Sequence, residues 1–284
     1  MYQEHVKNIK SNGWLRLVII PFLIAFITYL IPALLQPIIG FLLGSGGSEV
    51  GSLAGTISMM LTVLVMPFLM VKFGGINFAT LGITRYKLKS NFLKGAICGT
   101  LLLSTVAFII LLLGAIQIEV NSFKITKLFL IGLFFFIFQG TWEELIYRGY
   151  LMPYFSKKFG DITSIILTSI LFTLGHALNP GMQILPIINL FIASLVFSVI
   201  YYYKGNLILV GVGHGLWNFS QGYIFGAEVS GNIVPSSILK SIPVSGYELI
   251  SGGSFGFEGG IITTFIGIIL IFLYYIKIYK KELI

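Results

Sequence analysis

Long apolar runs, most of them close to the length of a membrane-spanning helix, alternate along the chain with short basic, polar or glycine-rich segments. A helix needs about 20 apolar residues to cross the hydrocarbon layer of a bilayer. The runs predict eight such helices: 15–43, 52–71, 93–117, 128–156, 162–178, 184–203, 207–225 and 260–279. The longest outer segment, 227–259, is rich in Gly, Ser and Pro, and we interpret it as a flexible connection, with a functional lid as the alternative.

Composition indicates the same class of protein. Hydrophobic residues make up 56% of the 284 residues and charged residues only 10%, whereas about 25% of residues are charged in a soluble domain. Too few polar side chains remain to cover a water-facing surface. We therefore predict an all-α polytopic membrane protein, a single integral membrane domain over 1–284, with about eight transmembrane helices surrounding an intramembrane polar cavity.

The basic residues predict the orientation of this domain. The net charge is +8, which in a soluble protein would suggest nucleic acid, but in a membrane protein Lys and Arg gather on the cytoplasmic side. With a cytoplasmic N-terminus, only Lys124, Lys127 and Lys240 fall outside. We expect a multi-pass protein of the cell membrane with both termini in the cytoplasm and no nucleic-acid partner. The single cysteine, Cys98, excludes a disulfide framework and a cysteine-based zinc cluster.

Ionisable side chains within the predicted helices are few. Such groups are costly in a bilayer and are commonly functional. Counted from Lys157, Asp161 and Lys204 at the inner ends of three helices, at about 1.5 Å per helical residue, Glu143, His176 and Asn218 each lie roughly 21–22 Å deep. The full set is Glu143, Glu144, Arg148, His176 and His214, with Asn218 as a polar companion.

Helical phase separates these residues by role. Glu144 and Arg148 are four apart and share a face, so they can form an ion pair. Glu143 points about 100° away and is free for other partners. His214 and Asn218 also share a face. Three glycines beside this last pair allow another helix or a substrate backbone to approach closely: Gly211, Gly213 and Gly215.

One carboxylate without a charged partner, two imidazoles and an amide can together hydrolyse a peptide bond. The carboxylate can act as a general base on water, and a histidine on the same water can orient it and carry protons. A second histidine and Asn218 can donate hydrogen bonds to the developing oxyanion. Glu143 is the favoured base because Glu144 is occupied by Arg148, although the residues alone leave the choice between the two glutamates open.

Three short motifs contain these residues, in the order EExxxR at 143–148, FxxxH at 172–176 and HxxxN at 214–218. Their order and spacing resemble those of the CAAX protease and bacteriocin-processing family, also called CPBP or Abi. The resemblance covers residues 142–218, the core motif region. It implies an eight-helix, glutamate-dependent intramembrane endopeptidase without a metal or other cofactor.

By the resemblance, Glu143 and His176 would hold and activate the catalytic water, and His214 and Asn218 would form the oxyanion site. Glu144 and Arg148 would support the first motif. The implied substrate is a membrane-associated peptide or protein, either prenylated and CAAX-like or of the leader or bacteriocin type. The lipid bilayer is the other partner, and a membrane-protein partner is left open.

Two other functions can use the same buried residues. In a proton-coupled transporter they would form a proton relay, but this predicts an inverted repeat between the two halves of the chain, and none is evident. A non-catalytic membrane scaffold or sensor would keep the fold and bind a partner. A zinc-dependent variant, with Glu143, His176 and His214 as ligands, is also conceivable, although the chain lacks HExxH.

Overall fold

The computed structural model describes residues 2–44, 52–121 and 127–282. The helices within them are α1 (Tyr2–Asn8), α2 (Ile20–Leu42), α3 (Leu53–Gly74), α4 (Leu88–Leu112), α5 (Lys127–Glu144), α6 (Met152–Phe159), α7 (Asp161–Gly175), α8 (Ile184–Lys204), α9 (Leu207–Phe219), α10 (Glu248–Ser251) and α11 (Ile261–Glu282). Wider π-helical turns occupy Leu15–Ile19, Leu145–Leu151 and Ser220–Ile224, and tight 3₁₀ turns occupy Gly253–Phe255 and Phe257–Gly259.

The protein is nearly all-α, as predicted, but it also contains a two-stranded antiparallel sheet. Strand β1 (Ile116–Val120) pairs with β2 (Leu239–Pro243). The predicted helix 93–117 therefore ends too late, since α4 stops at Leu112. Gly114 follows in the left-handed conformation, with φ of 69°, which is typical of a residue just beyond a helix end.

Six helical segments in the described parts of the chain are long and apolar enough to cross a bilayer: Leu15–Leu42, Leu53–Gly74, Leu88–Leu112, Lys127–Phe159, Ile184–Lys204 and Ile261–Lys280. The predicted helices 162–178 and 207–225 are not among them. Helix α7 has 15 residues and α9 has 13 before its π-helical turn, so each is shorter than the roughly 30 Å hydrocarbon layer at 1.5 Å per residue. Eight crossings remain a prediction.

Helix α9 lies between α4 and α5, and glycines set both contacts. On the α4 side, a Cβ on Gly99 would clash with the Gly213 carbonyl oxygen. On the α5 side, a Cβ on Gly140 would clash with the Gly215 backbone nitrogen. Of the α9 glycines, Gly215 has no room for a Cβ beside α5, whereas a Cβ on Gly213 would lie 3.6 Å from Gly95 of α4, so the close contact with α4 depends on Gly99.

The outer segment is more structured than its composition suggests. It contains β2, α10 and both 3₁₀ turns, and it buries Phe255 and Phe257 in two different hydrophobic clusters. Its glycines make tight turns, since Gly252 and Gly256 have φ of 84° and 92°. The segment is therefore packed against the helices, which differs from the flexible connection expected from the sequence.

Candidate active site

Glu143 lies near the C-terminal end of α5 and is only 4% exposed. Its Oε1 accepts a hydrogen bond of 2.6 Å from Nε2 of Gln139, one helical turn earlier. Its Oε2 is buried and has no hydrogen-bond partner within the described residues. A buried carboxylate oxygen without a protein partner is an acceptor that a bound water or substrate can use.

The two imidazoles lie on either side of this carboxylate. Nε2 of His176 is 3.7 Å from Glu143 Oε1, and Nε2 of His214 is 3.6 Å from Glu143 Oε2. These separations exceed a direct hydrogen bond, but one water molecule can bond to both members of either pair. His176 caps the end of α7, and its Nδ1–H donates to the Phe172 carbonyl at 2.9 Å. Its neutral form therefore presents an Nε2 lone pair to Glu143.

Glu144 and Arg148 form the predicted ion pair, with 2.7 Å between Arg148 Nη1 and Glu144 Oε1. Both side chains are fully buried. The guanidinium also donates to the carbonyl and hydroxyl of Ser194 and to the hydroxyl of Ser198 on α8. His214 Nδ1 is 3.0 Å from the same carboxylate oxygen, so Glu144 fixes the ring of His214 as well as the arginine.

Asn218 is buried and is linked to Glu143 by Gln139, a residue that was not among those predicted from the sequence. Its Nδ2 donates to Gln139 Oε1 at 3.0 Å, and Gln139 in turn donates to Glu143. Gln139 therefore links the first and third motifs. A polar residue one turn before Glu143 in an otherwise apolar helix was the sequence signal for it.

A cavity of about 320 Å³ borders these groups. Glu143, His176, His214 and Asn218 all line it, together with Gln139, whereas Glu144 and Arg148 do not. Most of the wall is apolar, which is typical of a binding site that takes up hydrophobic ligands. The four residues predicted to be catalytic thus share one cavity, and the two predicted to be supporting lie behind it.

The zinc-dependent alternative requires three side chains arranged around one metal ion. Within the described residues, no group of three or more His, Cys, Asp or Glu side chains is arranged to hold a metal ion. Glu143, His176 and His214 are therefore not placed as the three-ligand zinc set considered above.

The fold and these side chains first define a class, a multi-pass membrane protein that gathers glutamate and histidine side chains from α5, α9 and the end of α7. Residues 124–220 match the family model described as type II CAAX prenyl endopeptidase, Rce1-like. The match includes all three motifs and confirms the resemblance drawn from them. Because this is a protease family, it supports a peptide hydrolase. No curated protein matches the chain at a significant level.

Proposed function

We propose that the protein is a glutamate-dependent intramembrane endopeptidase that hydrolyses a peptide bond in a membrane-associated substrate. The main support is the carboxylate of Glu143 at the wall of an apolar cavity: His176 lies 3.7 Å from its Oε1 and His214 3.6 Å from its Oε2, and within the described residues its Oε2 has no hydrogen-bond partner. Glu143 is the better candidate for the base, because Glu144 is already bonded to Arg148 and His214.

In the proposed reaction, Glu143 and His176 hold a water molecule between them. Glu143 removes a proton from this water as the oxygen attacks the carbonyl carbon of the scissile bond. The carbon becomes tetrahedral and its oxygen becomes negative. When the C–N bond breaks, the leaving nitrogen takes up the proton held by Glu143, so acid and amine products form and the site is restored.

The negative oxygen of the intermediate needs hydrogen-bond donors. Asn218 donates one of its two Nδ2 hydrogens to Gln139, and the other can point into the cavity. His214 can donate from Nε2 when both ring nitrogens carry hydrogens, because its Nδ1–H is directed at Glu144. Gln139 and Glu144 would thus orient the oxyanion site without touching the substrate.

The substrate we propose is an apolar peptide segment, either a prenylated CAAX-like tail or a leader or bacteriocin-type peptide. The apolar lining suits either one, since a prenyl chain and a hydrophobic helix both gain from leaving water. The protein would work with its cavity within the bilayer, where such substrates are concentrated.

The test is cleavage by purified protein in lipid nanodiscs. Quenched fluorescent peptides of both kinds, with and without a farnesyl group, are incubated with wild-type protein and with the Glu143→Gln variant. We expect wild-type cleavage and a loss of about 10²–10⁴-fold in the variant, which is the usual contribution of general base catalysis. The exposed Glu119 of β1 supplies the matched control, because Glu119→Gln should retain activity.

Two results would contradict the proposal. Cleavage by Glu143→Gln at the wild-type rate would exclude Glu143 as the base. Absence of cleavage by folded wild-type protein across the peptide set would favour the scaffold or transporter. Treatment with a chelator, followed by added zinc, belongs to the same experiment, and activity that is lost and then restored would indicate a metal-dependent site.

A further inference from the structure

The cavity contains a second glutamate that the proposed reaction does not use. Glu258 lies in the 3₁₀ turn Phe257–Gly259, just before α11 and outside the six apolar helices. It lines the same cavity as Glu143, His176 and His214. From the sequence it was one of several acidic residues in the outer segment, with no sign that it reaches the site.

Contacts at both ends hold Glu258 in place. Its Oε1 accepts hydrogen bonds from the backbone N–H and the hydroxyl of Ser230, whose φ of 47° is unusual for a residue other than glycine. Its backbone carbonyl accepts from Asn189 Nδ2 at 2.9 Å, and this amide also donates to the Gly260 carbonyl at 2.8 Å. Within the described residues, no hydrogen bond engages Glu258 Oε2, so this oxygen is available to a ligand.

The cavity wall combines two carboxyl groups with two imidazoles. Its ionisable carboxyl groups are Glu143 and Glu258, its two histidines are those of the proposed catalytic site, and no Lys or Arg of the described residues lines it. Burial raises the pKa of Glu258, against the two hydrogen bonds from Ser230 and the charges of His176 and His214. An approaching cation would therefore both pair with Glu258 and favour its ionised form.

We propose that Glu258 determines specificity by binding a cationic side chain, lysine or arginine, that flanks the scissile bond of the substrate. This rests on the proposed protease function and narrows its substrate class to apolar segments with a basic residue near the cleaved bond. An acidic residue at that position would be repelled by Glu258 and would be disfavoured.

Cleavage of matched peptides tests this specificity. The peptides share one apolar sequence and carry a single Lys, Gln or Glu, which is moved one position at a time through the residues flanking the scissile bond. With wild-type protein in nanodiscs, we expect one position at which Lys is cleaved about tenfold or more faster than Glu, with Gln between them, because a pair desolvated at a binding surface is worth more than about 1.4 kcal/mol.

Variants assign the preference to Glu258. Gln can still accept the bonds from Ser230, so Glu258→Gln should fold and should lose the Lys-over-Glu preference, while Glu258→Lys should reverse it. Glu248 is an exposed glutamate of the same outer segment, and Glu248→Gln should leave the preference unchanged. Wild-type preference retained in Glu258→Gln would overturn the proposal.

Binding separates this proposal from the proposed function. The same peptides, fluorescently labelled, are titrated against the Glu143→Gln variant, and anisotropy reports affinity without cleavage. If Glu143→Gln binds the Lys peptide more tightly than the Glu peptide, and the double variant with Glu258→Gln does not, the role of Glu258 is supported even if no peptide is cleaved. Equal affinity for the Lys and Glu peptides at every position would exclude that role even if the wild-type protein proved to be a protease.

Discussion

Arg148 is a fully buried cation whose side chain donates four hydrogen bonds, one to Glu144 and three to two serines of α8. Removing it leaves the Glu144 carboxylate buried without its partner, and breaking such a pair costs about 3–5 kcal/mol. We expect Arg148→Ala to lower the unfolding temperature strongly in detergent and to reduce the yield of folded protein.

Arg85 provides the matched control for this prediction, because its side chain is exposed. Arg85→Ala should change stability by no more than about 0.5 kcal/mol, as surface substitutions commonly do. Thermal unfolding followed by intrinsic fluorescence measures both variants. Equal unfolding temperatures for the two would show that the buried pair contributes little.

Asn218 makes a different prediction, because its proposed role lies in the reaction and not in folding. Loss of one oxyanion donor lowers kcat by about 10²–10³-fold, so Asn218→Ala should do so with little change in KM or unfolding temperature. The half-buried Asn91 of α4, which does not line the cavity, serves as the control. A change in KM alone would instead indicate that Asn218 only binds substrate.

The sequence was informative about residues whose partners are local. Glu144 and Arg148 are one helical turn apart, so their pairing follows from helix geometry and is seen in the structure. Two site residues that it missed have distant partners: Gln139 bonds to Asn218 as well as to the nearby Glu143, and Glu258 bonds to Ser230. Such pairs depend on how separate elements pack, which residue spacing does not specify.

At the scale of elements, the contact between α5 and α9 depends on glycine. A Cβ on Gly215 would lie 2.3 Å from the Phe136 carbonyl oxygen and 2.8 Å from the Ile137 Cα. Backbone cannot move aside as a side chain can, so Gly215→Ala should separate the helices and cost about 1–3 kcal/mol. His214 would shift with α9, and proteolytic activity should fall as well.

Gly213, two residues away on the same helix, is the control. A Cβ there would have its nearest neighbour at 3.6 Å, an ordinary contact. Gly213→Ala should therefore retain stability and activity, as measured by thermal unfolding and peptide cleavage in the same nanodiscs. Equal loss in both variants would indicate an effect of alanine on α9 itself and not on its packing.

Some elements were visible in the sequence and others were not. Apolar runs located all the long helices, because a lipid-facing helix must be apolar along its length. The β1–β2 pairing was missed, since Ile116–Val120 follows directly on an apolar run and its partner lies more than a hundred residues later. Helix α7 ends at Gly175, three residues before the predicted end at 178, whereas α9 with its π-helical turn continues to Ile224, close to the predicted end at 225.

At the scale of the whole molecule, the proposed orientation can be tested at the chain ends. An even number of crossings, six or eight, places both termini on one side, and the distribution of Lys and Arg predicts the cytoplasm. Single cysteines are introduced at Asn12 and Lys280 in a Cys98→Ser background. In intact cells, a membrane-impermeant maleimide should label neither, and should label both after permeabilisation.

A third cysteine, at Lys240 in β2, is the positive control and should be labelled in intact cells. Labelling of only one terminus would indicate an odd number of crossings, with α7 or α9 failing to span. Labelling of both termini in intact cells would reverse the proposed orientation.

The glycine contacts of α9 separate the candidate catalytic residues into two groups by how firmly each is held. Glu143 and His214 stand on α5 and α9, whose backbones touch, whereas His176 stands at the very end of α7, before the loop that leads to α8. Helices whose backbones are in contact can hardly move relative to each other, whereas the end of α7 can tilt. A peptide chain entering between the carboxylate and the imidazoles would therefore widen the gap at His176 first, and closure of that gap around the bound chain would complete the water-activating pair.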